Sequence, residues 1–514
     1  MLGWRCGIGH KPIMVKRARG ALLLAVKLDP DASRPIGARL AAALRDIILA
    51  GGLGAGERLP ASRTLAGDLA ISRTTVVEAF DQLRAEGLIE ARTGAGTYVS
   101  SALSDVRPAA LSGVADKARR AHRAHAPVAR VSRAMSAALG RFAERVSHQP
   151  RAFTTAMPAF DAFPLALWSR YQSKYWRSGS SVVMGYSDAH GDPRLRRAIA
   201  AHLRANRGIS CQPDQVYVVN GAQHAFRMIG TILLDPGDRV WFENPGAIGA
   251  RNGLIACGGK LVPVTVDKHG LVVDDGLRKA PDFRLAFVTP SHQQPLGATM
   301  SLERRLALLK AAEAADAMII EDDYDGEFCY GSHPPPTLKS VDLSGRVIYV
   351  GTFSKTLFPA LRLGYFVVPP AYVDVFDRAM TAFMQGTPSS AQAVVAAFMG
   401  DGHFAAHIRR MRRIYSERHE ALCAEAGRHL RGLLEVVPTE AGLHTIGLLP
   451  SHLDQRKVAL EASRRGITVT PIEHFCSSPI DTHGLVLGFS GVRPAIIASA
   501  TDMLAEVLEV LVGQ

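Results

Sequence analysis

The chain has 514 residues, 47% hydrophobic and 21% charged; that balance excludes a disordered or low-complexity protein and leaves room for two or more domains with a large core. No apolar run approaches the ~20 residues that cross a bilayer, and six scattered cysteines without a CxxC pair fit a reducing cytoplasm and give no support for a structural zinc. The net charge of +13 is uneven: residues 1–150 hold 23 Lys and Arg against 12 Asp and Glu, the remainder 37 against 35, so a polyanion partner is expected for the front of the chain.

Residues 1–32 read as a basic extension. Its apolar segment Ala21–Val26 follows basic residues but precedes no small-residue cleavage site, so it reads as a segment beside the first domain. Residues 33–101 are dense in helix and turn signals. Ile36, Leu40, Leu44, Ile47 and Ile48 share one face of a first helix that Gly51-Gly52 ends. A second short helix follows Pro60, through Arg63–Ala70. A third spans Ile71–Arg84 with Ser72 as N-cap and Val76, Ala79, Phe80 and Leu83 as its buried stripe. Leu88–Arg92 and Thr97–Ser100 then pair around the glycine-rich Thr93–Gly96. Three helices and a hairpin describe a winged helix-turn-helix, with double-stranded DNA as partner. Ser72, Arg73, Thr74 and Thr75 at the start of the third helix, Arg63 on the second and Gly96 in the wing are the candidate DNA contacts. A small helical dimerisation domain is the alternative on pattern alone.

Residues 102–150, rich in Ala, Arg, Ser and His without a sustained apolar stripe, read as a linker that is in part helical. From 151 to 514, apolar strands (Val216–Val219, Arg239–Phe242, Leu285–Val288, Met318–Ile320, Val347–Val350) alternate with helical stretches. The expectation is a mostly parallel α/β sheet covered on both faces. Chemistry-bearing residues follow several of these strands. Gly221-Ala222-Gln223 opens a helix whose free N–H groups suit a phosphate. Glu321–Asp325 offers an acid and a tyrosine for a protonated ring nitrogen and a phenolic oxygen; a solvated acidic loop or a divalent-metal site is the competing reading, the latter without an obvious completing ligand. Thr352-Phe353-Ser354-Lys355 places a lysine behind a buried strand with two hydroxyls beside it and Arg362 seven residues on. Such a lysine can form a Schiff base with an aldehyde cofactor whose phosphate the hydroxyls and guanidinium hold.

The segment Arg58–Arg63, Leu69–Val76, Leu83–Leu88 and Gly94–Val99 strongly resembles the GntR-type winged helix, and the strand-end motifs of 151–514 resemble fold-type I pyridoxal-phosphate enzymes of the class I aminotransferase group. The fusion, with Thr289–Gln293 and Glu321–Phe328, resembles the MocR/GabR family of bacterial transcriptional regulators. That resemblance implies pyridoxal 5'-phosphate bound through Lys355, with Asp322 at the pyridine nitrogen and Tyr324 at the phenolate oxygen. It places the Ala222 N–H, Gln223, Thr352, Ser354 and Arg362 around the phosphate, and it implies a cytoplasmic homodimer without membrane contact.

Two positions depart from an active aminotransferase. Ala247 stands where the resembling proteins carry a tyrosine that stacks on the cofactor, with Phe242 or Tyr186 as possible substitutes. Val486 stands where they carry the arginine that grips an α-carboxylate, and a valine cannot replace a bidentate guanidinium. Arg251 and Arg493 are the nearby candidates for effector binding. The expected function is a cofactor-dependent regulator that senses pyridoxal phosphate itself, an amino acid or an amine. A working aminotransferase with an accessory DNA-binding domain, and a DNA-binding protein whose large domain only dimerises, are the rivals.

Overall fold

The computed structural model describes residues 26, 34–92, 94–104, 131–144, 149–178, 184–331 and 336–513. The expected basic extension lies outside them except for Val26, as do residues 105–130 and 145–148 of the expected linker. The chain forms two compact units that divide between Arg130 and Val131.

In the first unit, helices Ile36–Leu49, Ser62–Asp68 and Arg73–Ala85 precede a hairpin of β1 (Ile89–Arg92) and β2 (Gly96–Val99). The strands run antiparallel, with Ile89 opposite Val99 and Arg92 opposite Gly96. Leu40, Leu44 and Ile48 of the first helix pack on Val76, Ala79, Phe80 and Leu83 of the third. Ile36, expected on that apolar face, is 47% exposed, because the helix begins at this residue directly after Pro35. Ser72 caps the third helix: its hydroxyl accepts the Thr75 N–H at 3.1 Å, satisfying a donor that the helix start leaves unpaired.

The second unit is built on an eight-stranded sheet in the order β3-β10-β9-β8-β7-β4-β5-β6, comprising β3 (Val216–Val219), β4 (Arg239–Asn244), β5 (Lys260–Asp267), β6 (Gly270–Leu271), β7 (Leu285–Val288), β8 (Met318–Asp322), β9 (Val347–Thr352) and β10 (Gly364–Val367). Strands β5, β4, β7, β8 and β9 pair in parallel. The sheet is mixed rather than uniform, since β10 runs antiparallel to both β3 and β9. Eleven residues separate β9 from β10, fewer than the dozen or so that a parallel crossover needs. The strands at the centre are buried on both faces, which is why they read as unbroken apolar runs.

A smaller antiparallel sheet follows, in the order β11-β12-β14-β13, comprising β11 (Glu435–Val436), β12 (His444–Leu448), β13 (Thr470–Pro471) and β14 (Gly484–Gly488). It shares a core with the long helices His403–His429 and Pro494–Val512. Part of the segment expected as linker belongs to this unit. Ala143 donates its N–H to Asn252 Oδ1 at 2.9 Å and accepts from Asn252 Nδ2 at 2.7 Å. Among the described residues no helix is long and apolar enough to cross a membrane.

Candidate cofactor site and DNA-facing surface

The loops after β3, β4, β7, β8 and β9 open on one cavity of about 840 Å³, within the ~300–1,000 Å³ usual for small-molecule sites. They lie at the same end of the sheet, where open α/β folds bind ligands. Seven of the eight expected cofactor residues converge there as lining side chains (Gln223, Asp322, Tyr324, Thr352, Ser354, Lys355 and Arg362), and Ala222 joins them.

One side of the cavity is a cup of small and hydroxyl-bearing groups. Gly221, at φ +85°, turns the chain from β3 into the helix Ala222–Leu233, and Gly221, Ala222 and Gln223 at the positive end of that helix line the cavity. Thr352 accepts the Ser354 N–H at 3.1 Å, fixing its hydroxyl at the start of the turn that carries Lys355. Arg362 takes the left-handed conformation at φ +53° and is exposed. Gly364, on the neighbouring strand, presses directly against this turn. A Cβ there would lie 2.9 Å from Gly221 Cα and 3.0 Å from the Ala222 nitrogen, so only glycine allows the approach.

Of the acids in Glu321–Asp325, three are engaged elsewhere. Glu321 accepts the N–H groups of Leu338 and Lys339, both at 2.7 Å. Asp323 pairs with the buried Arg207 at 2.6 Å and accepts the Tyr349 hydroxyl at 2.6 Å. Asp325 Oδ2 lies 3.0 Å from His292 Nδ1. Asp322 alone lines the cavity, and its Oδ1 is buried without a hydrogen-bond partner. Burial, and then Asp323 and Asp325, push its pKa well above the usual carboxylate range, while Lys355 pulls it down. A buried carboxyl held in this way suits a cationic ring nitrogen.

Tyr324 Oη also lies 3.0 Å from His292 Nδ1. A carboxylate only accepts, so this nitrogen carries the proton and shares it between Asp325 and Tyr324. The Tyr324 hydroxyl proton is thereby free to point at a ligand oxygen. Beneath lies His444, whose ring centroid is 4.9 Å from that of His292 and whose Nε2 meets the Pro295 carbonyl at 3.2 Å. Burial and His292 lower its pKa to about 3, keeping it neutral. His292, Asp325 and His444 place ligand-type atoms within 4.8 Å of one another, but both His292 Nδ1 and His444 Nε2 already face oxygen partners.

Lys355 donates to the Ala156 carbonyl at 3.0 Å. Burial lowers its pKa to about 8, against the opposing pull of Asp325 and Asp322. That leaves a sizeable minority of the amine neutral at physiological pH, and the neutral amine is a competent nucleophile toward an aldehyde.

Several expected placements differ. Phe242 stacks on Phe287 at 5.2 Å within the core, and Tyr186 is 87% exposed, so neither lines the cavity beside Ala247. Arg251 donates to the Cys476 carbonyl at 2.8 Å, and Arg493 is drawn onto Asp161 at 3.0 Å; neither lines the cavity. Val486 is buried in an apolar cluster with Ile248, Ile446, Ile472 and Phe475. Gln294 and Phe358, from the loops after β7 and β9, also line the cavity, and residues outside every motif complete the wall: Thr155–Met157, Phe160, Phe163, Leu165, Trp168 and Phe475. They carry no local signal, because the fold assembles them from distant segments.

On the first unit, Arg63, Arg73 and Thr74 are exposed, while Thr75 is half-buried with its hydroxyl 2.8 Å from that of Ser72. Arg73 Nε reaches Ser62 Oγ at 3.4 Å, joining the second and third helices at this surface. Gly96 is exposed, and its φ of +115° is a conformation that other residues adopt only under strain.

Residues 36–99 match the family model for bacterial regulatory proteins of the gntR family, and residues 170–482 match that for aminotransferase class I and II. The chain is 40% identical to the probable rhizopine catabolism regulatory protein MocR of Rhizobium meliloti, over 93% of this chain and 94% of that protein. It is 30% identical to the pyridoxine biosynthesis transcriptional regulator PdxR of Corynebacterium glutamicum, over 91% and 94%. Among solved structures, an archaeal alanine:glyoxylate aminotransferase superposes with a TM-score of 0.66 at 26% identity, over 73% of this chain and 94% of that one. With a DNA-binding head and an aminotransferase-like body matched on one chain, and with relatives that match both together, the chain belongs to the MocR-type family of DNA-binding transcriptional regulators.

Proposed function

We propose that this regulator holds pyridoxal 5'-phosphate in the cavity and reads an amine or amino-acid effector there through Lys355, as a cytoplasmic homodimer bound to operator DNA. The observation that carries the reading is the convergence of Lys355, the partnerless Asp322, Tyr324 and the Ala222–Thr352–Ser354–Arg362 cup on one cavity. Arg362, Thr352, Ser354, Gln223 and the Ala222 N–H would hold the phosphate, Asp322 the protonated ring nitrogen, and Tyr324 the phenolic oxygen. When bound, the cofactor supplies an aldehyde that condenses with primary amines. Lys355 is the resident amine and Asp322 keeps the ring nitrogen charged. An effector shifts DNA binding only to the extent that it favours one arrangement of the regulator over another. Small Ala247 and apolar Val486 support a role in sensing, with transamination absent or slow.

In this reading Arg73 meets base edges, and Arg63 a phosphate or a base. Arg73→Ala should cost ~1–3 kcal/mol of operator affinity and relax preference at one base pair, the value of a bidentate contact to guanine. Titration of cognate and scrambled duplexes with the cofactor-loaded protein measures this. A variant that separates the two duplexes as wild type does would remove Arg73 from the reading surface.

The lowered Lys355 pKa sets a pH dependence. Only the neutral amine attacks an aldehyde, so cofactor uptake by cofactor-free protein should accelerate as pH rises and level off above about 8. One unit below that midpoint the rate should be roughly tenfold under its plateau. Stopped-flow absorbance checks it; a midpoint in the ordinary lysine range would mean that Lys355 is solvated.

A further inference from the structure

Among the described residues, Lys355 and Arg362 are the only cationic side chains lining the cavity. Arg362 belongs to the cup with Thr352, Ser354 and Ala222, and Lys355 is the reacting amine. Much of the remaining wall is apolar, including Phe163, Trp168, Phe358 and Phe475. Behind Ile248 and Phe475 stands Val486, 1% exposed, in one apolar cluster with both. Arg251 lies on the same helix as Ile248 but is turned to the Cys476 carbonyl, and Arg493 is held by Asp161. Among the described residues, a carboxylate entering this cavity would lose its water and meet no guanidinium in the wall beyond Arg362 of the cup. An apolar body would meet the aromatic wall.

We propose that the effector class is primary monoamines with an apolar body and no carboxylate. The inference rests on the cofactor reading above. In the exchange, the ligand nitrogen bonds to the cofactor's aldehyde-derived carbon as the bond from Lys355 Nζ to that carbon breaks. With the Schiff-base nitrogen protonated before and after, one proton passes from the incoming neutral amine to Lys355 Nζ, which leaves as a free amine, so no oxidant or other co-reactant is required.

The test uses matched pairs that differ only by the carboxylate: pentylamine against norleucine, and 2-phenylethylamine against phenylalanine. Each is titrated into the cofactor-loaded full-length protein, and the change in cofactor absorbance is followed. Each amine-to-amino-acid ratio is divided by the same ratio measured for free pyridoxal phosphate, which removes the intrinsic reactivity of the two amines. The amine of each pair should half-saturate at a concentration at least about tenfold below its amino acid. Ile248→Arg, which brings a guanidinium to the wall, should narrow that ratio by strengthening the amino acid. A coloured wild type that takes the amino acid as well as or better than the amine, or one whose ratio equals that of the free cofactor, overturns this inference alone. A folded, coloured Ile248→Arg with an unmoved ratio overturns the role given to the wall. If that variant fails to fold, the wild-type ratio decides. A protein that takes up no pyridoxal phosphate overturns the cofactor reading, and this inference with it.

Discussion

Lys355→Ala is expected to abolish borohydride-stable attachment of pyridoxal phosphate to the protein, an all-or-none loss readable as a missing mass increment. The yellow colour of the supplied protein should be lost with it. The expectation follows from position: Lys355 sits in the one-turn helix Phe353–Thr356 directly after β9, lines the cavity with Asp322 and Tyr324, and its amine donates to the Ala156 carbonyl. Removing it deletes that one contact, so the variant should remain folded and its DNA affinity should become insensitive to added amines. A trapped adduct of undiminished yield in the variant would assign the covalent chemistry to another lysine and dismantle the site as described.

The second large effect is on stability. Arg207 is almost wholly buried, pairs with Asp323 at 2.6 Å and donates to the Gly326 carbonyl at 2.9 Å and the Ser291 hydroxyl at 3.1 Å. It thus ties together the loops after β7 and β8 that carry His292, Asp322 and Tyr324. Arg207→Ala leaves the Asp323 carboxylate buried without its counter-charge, and should destabilise the second unit by ~3–5 kcal/mol. Denaturant unfolding followed by the second unit's tryptophans measures this; Trp241 is in its core. Asp323→Ala in the same chain should recover part of the loss, because the uncompensated charge is then gone. A single variant that loses less than about 1 kcal/mol, the scale of an exposed pair, would show that the buried pair does not anchor the loops.

Much of this was legible in the chain because the signals are local. The Ser72 cap, the stripe through Val76, Phe80 and Leu83, and the unbroken apolar strands each follow from spacing over a few residues. Lys355, Asp322 and Gly221-Ala222 were legible because each directly follows, or ends, such a strand. What was hidden depends on distance in sequence. Nothing near Glu321–Asp325 reveals that Arg207, more than a hundred residues earlier, claims Asp323 and leaves Asp322 to the cavity. The aromatic wall joins Phe163, Phe358 and Phe475, which no window spans. Arg251 and Arg493 looked available because charge is visible in a sequence, whereas the Cys476 carbonyl and Asp161 that hold them are not. The direction of β10 was concealed for a different reason: an apolar strand has the same composition in either orientation.

The close approach of Gly364 to the turn at Gly221 ties the cavity's floor to the register of the sheet. Gly364 is opposite Val219 on one side and Thr352 on the other, so one strand residue registers both halves of the phosphate-type cup. The cup is therefore held by backbone pairing among the edge strand β3 and its neighbours β10 and β9. Opening it would break the ladder hydrogen bonds that join these strands. The rim is different. The segment around Ala156 and Phe160 is held by the Lys355 hydrogen bond and by Asp161, which Arg418 grips with two bonds of 2.9 Å and Arg493 with one of 3.0 Å. These are discrete side-chain fastenings, as are the Tyr415 hydroxyl that accepts the Ala159 N–H at 3.1 Å and the Ser490 hydroxyl that donates to the Met157 carbonyl at 2.6 Å, so the rim is pinned by side chains where the floor is pinned by backbone pairing.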